Sequence, residues 1–218
     1  MKPYRSPNYD SRDNHPIDML VLHYTGMLSA TQALDRLCDP AAKVSAHYVV
    51  EEDGTIHNLV YEKERAWHAG VSAWRGHSNI NQRSIGIEIV NPGHEFGYTP
   101  FPEPQIAAVI SLCKGILTRN PQISARNVVG HSDVAPARKT DPGEFFPWAQ
   151  LAKHTIGLWP RHATATTLPE SALADYGYSL ENPTKAIEAF QRHFRQNHIS
   201  GQWDSQCGAL LADLIRML

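Results

Sequence analysis

This 218-residue sequence has few cysteines, no apolar run long enough to cross a membrane, and no surplus of charge of either sign. Its three cysteines, Cys38, Cys113 and Cys207, are far apart and lack the Cys-x-x-Cys spacing of a zinc knuckle or a redox pair, so they read as small core residues. No stretch approaches the roughly 18–20 apolar residues of a membrane span. Twenty basic against 22 acidic side chains leave a formal charge of -2, too weak a field to hold a polyanion, so nucleic acid is excluded as a partner and any bound polymer is gripped locally. The segment Met1-Lys2-Pro3-Tyr4-Arg5-Ser6-Pro7 has neither the apolar core nor the small-residue cleavage site of a secretory signal. The cytoplasm is therefore the default compartment, and an exported location needs a removed signal or another route. The His-Glu-x-x-His helix of common metalloproteases is absent, as are internal repeats and low-complexity tracts.

What is present fits one catalytic domain of roughly 150 residues and a small accessory unit. Residues 18–23 form a short apolar run that reads as a buried strand ending on His23, and 29–38 read as a helix capped by Ser29 or Thr31 and stopped at Asp39-Pro40. Two strands within 45–60 flank a turn at Asp53-Gly54. In 84–90, Ile85, Ile87 and Ile89 share one strand face and Glu88 lies on the other. Ile106, Val109, Ile110, Cys113, Ile116 and Leu117 repeat at helical spacing over 103–118. Val128-Val129-Gly130-His131 reads as a strand ending in histidine, with a helix following over about 147–156. Small and polar residues between prolines make 161–170 a linker, dividing a catalytic domain at 1–160 from three short helices at 171–218. The helical stripes there are Ala186, Ile187, Phe190 and Phe194, then Cys207, Leu210, Leu211, Leu214 and Leu218, with Gly201 in the intervening turn.

Of 12 histidines, position singles out His23 and His131, each at the end of an apolar strand, with Asp141 ten residues beyond the second. Two imidazoles and a carboxylate make three protein ligands and leave a fourth tetrahedral position open, the pattern of a catalytic zinc site with one ion per chain.

Six motifs occur in an order that resembles the type-2 zinc-dependent N-acetylmuramoyl-L-alanine amidases of the AmpD/AmiD-like branch. They are Val21-Leu22-His23-Tyr24-Thr25, Val44-Ser45-Ala46-His47-Tyr48, Ala66-Trp67-His68-Ala69-Gly70, 84–91 ending in Asn91, Val129-Gly130-His131-Ser132-Asp133, and Arg138-Lys139-Thr140-Asp141-Pro142-Gly143. The resemblance implies an α/β (α+β) fold with a mixed central sheet flanked by helices, shared with peptidoglycan recognition proteins. It places zinc on His23, His131 and Asp141; the recognition-protein and phage branches usually carry cysteine at the last position. It implies hydrolysis of the amide between N-acetylmuramic acid, or its anhydro form, and L-alanine, with peptidoglycan or a muropeptide as partner, in wall remodelling or recycling. Glu88 is the expected general base and acid and Lys139 the expected oxyanion donor. Where some relatives carry a tyrosine on the second motif's strand this chain has Ala46, which leaves the proton transfer to Glu88. Trp67, His68, Asn91 and His47 are the expected substrate-groove residues. Residues 176–178, Ala186-Ile187-Glu188-Ala189-Phe190-Gln191 and Gly201-Gln202-Trp203-Asp204 resemble a three-helix peptidoglycan-binding module, against which stands a helical cap that only covers apolar surface. Two rival functions are a recognition module that binds without cutting, which the complete ligand set disfavours, and a zinc hydrolase of a different amide.

Overall fold

In the computed structural model, which describes residues 4–161 and 166–218, the strands are β1 (Tyr9–Ser11), β2 (Met19–Tyr24), β3 (Tyr48–Val50), β4 (Ile56–Asn58), β5 (Glu64–Ala66), β6 (Ala73–Trp74), β7 (His77–Ser78), β8 (Ser84–Ile89) and β9 (Val128–Gly130). The helices are α1 (Ala30–Cys38), α2 (Gly93–Phe96), α3 (Glu103–Arg119), α4 (His131–Val134), α5 (Trp148–Lys153), α6 (Ala172–Tyr176), α7 (Pro183–Phe194) and α8 (Ser205–Arg216). The central mixed sheet has the order β4-β3-β8-β2-β9, with β4 antiparallel to β3 and the other pairings parallel. It is flanked by helices, an α+β architecture.

Side chains alternate across β2, and the two sets enter two different cores. Leu20 and Leu22 join Ile85, Ile87, Ile89 and Val128 against Ile106, Val109, Ile110, Cys113 and Ile116 of α3. Met19 and Val21 face the other way, into a cluster with Val129, Leu173, Phe190, Phe194, Leu211 and Leu214. Each such side chain contributes about 1.5–3 kcal/mol when fully buried, so these two layers fix the strand's orientation. His23 falls on the Met19 and Val21 face. The parallel register pairs His23 with Glu88 on β8, which puts both on the same face at the carboxyl ends of adjacent strands.

The apolar stripes of α7 and α8 pack on that same sheet face, except for Leu218, which lies past the end of α8 and is exposed, so the three C-terminal helices share a core with β2 and β9. Helices of 5, 12 and 12 residues bury too little surface to close a core alone, which is the physical reason for the shared packing. The N-termini of α7 and α8 are capped: Asn182 accepts from the Lys185 N–H ahead of Pro183, and Asp204 accepts from the Cys207 N–H. Gly201 makes the turn between them at φ +68°. Of the expected linker, residues 162–165 lie outside the described residues. On either side the chain is tied down, with Arg161 N–H donating to Asp213 (2.6 Å) and Leu168 N–H to the Gly208 carbonyl (3.2 Å).

Two details differ from the sequence reading. His131 opens α4 and does not end β9, because β9 stops at Gly130. Cys38 is only partly buried, beside the α1 cluster, whereas Cys113 and Cys207 are core residues; all three are free thiols. Among the described residues no helix is long and apolar enough to cross a membrane.

Candidate metal centre and catalytic cleft

His23 at the end of β2, His131 at the start of α4 and Asp141 in the following loop converge, all three buried. His23 Nδ1 lies 2.9 Å from His131 Nδ1 and 3.0 Å from Asp141 Oδ2, and His131 Nδ1 is also 3.0 Å from that oxygen. The hydrogen bonds behind the rings say which nitrogens carry protons. Ser84 Oγ donates to the Ile80 carbonyl (2.7 Å), so it accepts from His68 Nε2–H (3.0 Å), and His68 Nδ1 accepts from His23 Nε2–H (3.0 Å). His131 Nε2–H donates to the Ala69 carbonyl (3.0 Å). Both Nδ1 atoms are therefore left with lone pairs aimed at one point, together with a carboxylate oxygen.

Burial, and next the proximity of His131, lower the His23 pKa to about 4, and burial holds His68 well below its ordinary value, so both rings are neutral. Neutral imidazoles with outward lone pairs and an ionised carboxylate are the donor set of zinc. Tetrahedral ligands at zinc distances stand about 3.3 Å apart, close to the edges of this triangle. The residues therefore fit the ion.

Glu88 reaches the same place from β8. Its Oε2 is buried and has no hydrogen-bond partner among the described residues. Burial, then the charge of Asp141, push its carboxyl well above the usual value, with Lys139 opposing. Beside it, Gly86 leaves room for His68: a Cβ at 86 would lie 2.5 Å from His68 Cγ. The cluster opens into a cleft of about 650 Å³ whose walls include Tyr24, Trp67, Glu88, His94, Arg138 and Lys139.

A family model described as N-acetylmuramoyl-L-alanine amidase matches residues 13–144, a span that holds all three donors, Glu88 and Lys139. The chain belongs to the N-acetylmuramoyl-L-alanine amidase family. It is 38% identical to the N-acetylmuramoyl-L-alanine amidase AmiD of Escherichia coli (strain K12), over 91% of this chain and 82% of that protein. It is 33% identical to the 1,6-anhydro-N-acetylmuramyl-L-alanine amidase AmpD of Haemophilus influenzae, over 66% of this chain and 86% of that one. The crystal structure of AmpDh3 from Pseudomonas aeruginosa in complex with anhydromuramic pentapeptide has a TM-score of 0.84 at 34% identity, covering 99% of this chain and 96% of that chain. AmiD from E. coli, in complex with the substrate anhydro-N-acetylmuramic acid-L-Ala-D-gamma-Glu-L-Lys, gives 0.83 at 36% identity, covering 98% of this chain and 92% of that chain. The C-terminal helices are thus part of the shared fold in these two structures.

Within this amidase the other expected groove residues fall in different places. Trp67 lines the cleft, and its backbone N–H donates to Ser45 Oγ (2.8 Å). His68 forms the floor behind His23. Asn91 is buried and holds its own loop, donating to the Thr99 carbonyl (2.8 Å) and accepting from Gly93 N–H (3.0 Å). His47 lies apart from the cleft, fully buried, accepting at Nδ1 from Gly86 N–H (3.0 Å) with Arg12 at its other nitrogen. Burial, then Arg12, drive its pKa to about 3.

The sequence reading did not single out a second group on the cleft wall. Tyr24 Oη lies 2.9 Å from His94 Nδ1 and 3.0 Å from Thr140 Oγ1, while His94 Nε2 lies 3.1 Å from Glu144 and its ring stacks on Tyr98. The available signal was adjacency: Tyr24 follows His23, and His94 lies six residues past Glu88.

Proposed function

We propose that this amidase hydrolyses the amide between the lactyl group of N-acetylmuramic acid, or its 1,6-anhydro form, and L-alanine, with one zinc ion held by His23, His131 and Asp141. The convergence of three lone-pair donors beside an unpartnered buried glutamate carries this reading. The substrate side is supported by the muropeptides named in the complexes of AmiD and AmpDh3.

Zinc at these ligands supplies Lewis-acid polarisation of the scissile carbonyl and brings the pKa of a water toward ~7. Glu88 Oε2 takes the proton from the attacking water and returns it to the departing alanine nitrogen. Its raised pKa suits that exchange, since it makes the carboxylate a stronger base toward the water than an ordinary glutamate. Lys139 presents a cation toward the oxygen that becomes negative in the tetrahedral intermediate. Trp67 offers a flat apolar face for a sugar ring, and His68 acts by fixing the tautomer of His23. Asn91 shapes the wall from behind by fixing the loop that carries His94.

Mass spectrometry of the products from a soluble anhydro-muropeptide tests the reading: the expected result is the free stem peptide and the unsubstituted anhydro sugar, together heavier than the substrate by one water. Cleavage inside the stem peptide would favour the rival hydrolase, and binding without products would favour the recognition module. Lys139→Ala is expected to cost roughly 10²–10³ in turnover, the usual effect of losing one oxyanion donor, with metal content unchanged. A wild-type kcat in that variant, measured at saturating substrate, would remove Lys139 from the chemistry.

A further inference from the structure

Outside the cleft, one buried carboxylate gathers donors from two parts of the chain. Asp133, two residues past His131 and 1% exposed, accepts at Oδ2 from Gly130 N–H (2.7 Å) and His193 Nδ1–H (2.7 Å), and at Oδ1 from Tyr178 Oη–H (2.7 Å). Tyr178 precedes α7 and His193 lies in its last turn. Trp148 and Phe194 both stack on the His193 ring at 3.9 Å, and Trp74 packs edge-on to Tyr178 at 5.0 Å, so both donors are held by packing.

Asp133 in turn holds backbone next to a metal ligand. Gly130, whose N–H it accepts, immediately precedes His131, and a Cβ there would lie 2.7 Å from Pro142 Cδ, in the residue after Asp141. On the other side Ser132 N–H donates to the Asp141 carbonyl (2.8 Å). His131 is thus fixed on one side through Asp133 and on the other through the backbone of the second ligand. The neighbouring Arg192 lies 3.9 Å from Glu144, which pairs with His94 on the cleft wall.

We propose that Tyr178 and His193 are positioning residues: through Asp133 they hold the His131 and Asp141 ligands in register with His23. The proposal rests on the zinc reading above. Apolar packing alone would hold α7 on the sheet, but it is non-directional, whereas metal ligands must sit within about 0.2 Å of their place. Short hydrogen bonds to a buried carboxylate supply that direction.

Tyr178→Phe tests this by removing one oxygen and keeping the ring. Zinc affinity by chelator competition, the visible spectrum of the cobalt-loaded protein and the melting temperature of the metal-free protein are read on wild type, Tyr178→Phe and Asp133→Asn. Ile187→Val, in the same core on α7, is the control for lost packing. The expected result is zinc affinity weakened about 10–100-fold in both test variants with an altered cobalt spectrum, while Ile187→Val keeps wild-type metal readouts despite a lower melting temperature. Wild-type zinc affinity and an unchanged cobalt spectrum in Tyr178→Phe would overturn the proposal and leave the hydrogen bonds a purely structural role. Should Tyr178→Phe fail to fold, Asp133→Asn decides by the same two readouts. Wild-type protein that takes up no metal is a separate failure, which overturns the metal centre itself and the clamp with it.

Discussion

Protein dialysed against metal-free buffer is expected to retain about one zinc ion per chain, and His131→Ala or Asp141→Ala to retain none. Each substitution removes one corner of a triangle whose edges are 2.9, 3.0 and 3.0 Å, leaving two donors where an open catalytic site needs three. The two variants fail for different reasons. Without His131 the Ala69 carbonyl also loses a donor, although Arg138 still reaches it at 2.9 Å. Without Asp141 the ion has no anionic ligand, and a dication faces two neutral rings in a buried site. Asp141→Asn, of nearly the same volume, is therefore expected to resemble Asp141→Ala. Turnover of a soluble anhydro-muropeptide should fall to background in step with metal content. Stability gives an independent readout, because an ion that binds only the folded chain stabilises it by about 4 kcal/mol at a thousand times its dissociation constant. A chelator should accordingly lower the melting temperature of wild type and leave His131→Ala unmoved. Full zinc occupancy in His131→Ala would sink the ligand assignment.

The parts of this molecule that were legible in the sequence are those whose signal is local. Met19 to Tyr24 announces itself by an apolar run, Ser84 to Ile89 by its alternation of isoleucines with small or polar residues, α3 by its 3.6-residue period, and α1 by Ser29, which caps it by accepting from Gln32 N–H. The strands β1, β5, β6 and β7 are two or three residues long and carry no alternation to find. Register was not readable at all: nothing near His23 specifies that Glu88, 65 positions away, is its neighbour on the parallel strand. Arg12 is the sharpest case. In a stretch that looks like a polar lead-in, its buried guanidinium donates to the carbonyls of Glu62, Asn81, Gln82 and Ser84, tying the N-terminal segment to the turn before β8. A lone arginine among prolines and asparagines gives no hint of this, because these carbonyls lie 50 to 72 residues away and its other partner, the His47 ring, lies 35 away. For the C-terminal helices the stripes were visible but not their destination, since a stripe says how much surface must be covered and not by what.

Glu88→Gln is expected to keep its zinc and lose roughly 10²–10⁴ in turnover, with little change in KM. The amide has nearly the shape of the carboxylate but cannot take the proton of the attacking water. Since Glu88 Oε2 has no hydrogen-bond partner among the described residues, the substitution breaks no contact there. It also removes an ionisable group that burial and Asp141 hold well above its ordinary pKa. The melting temperature should thus stay level or rise, because a buried carboxyl that resists ionisation costs stability in the folded chain. The pH profile adds a second criterion. Only the ionised carboxylate accepts a proton, so wild-type kcat/KM should be lost as pH falls through the Glu88 pKa, and a raised pKa moves that loss to higher pH than for an ordinary glutamate. In Glu88→Gln the residual activity should not show this limb. Near-normal turnover with the limb intact would move the base elsewhere. His47 is locked between Arg12 and Gly86 away from the cleft, so His94, whose ring lines it, would be the next group to replace.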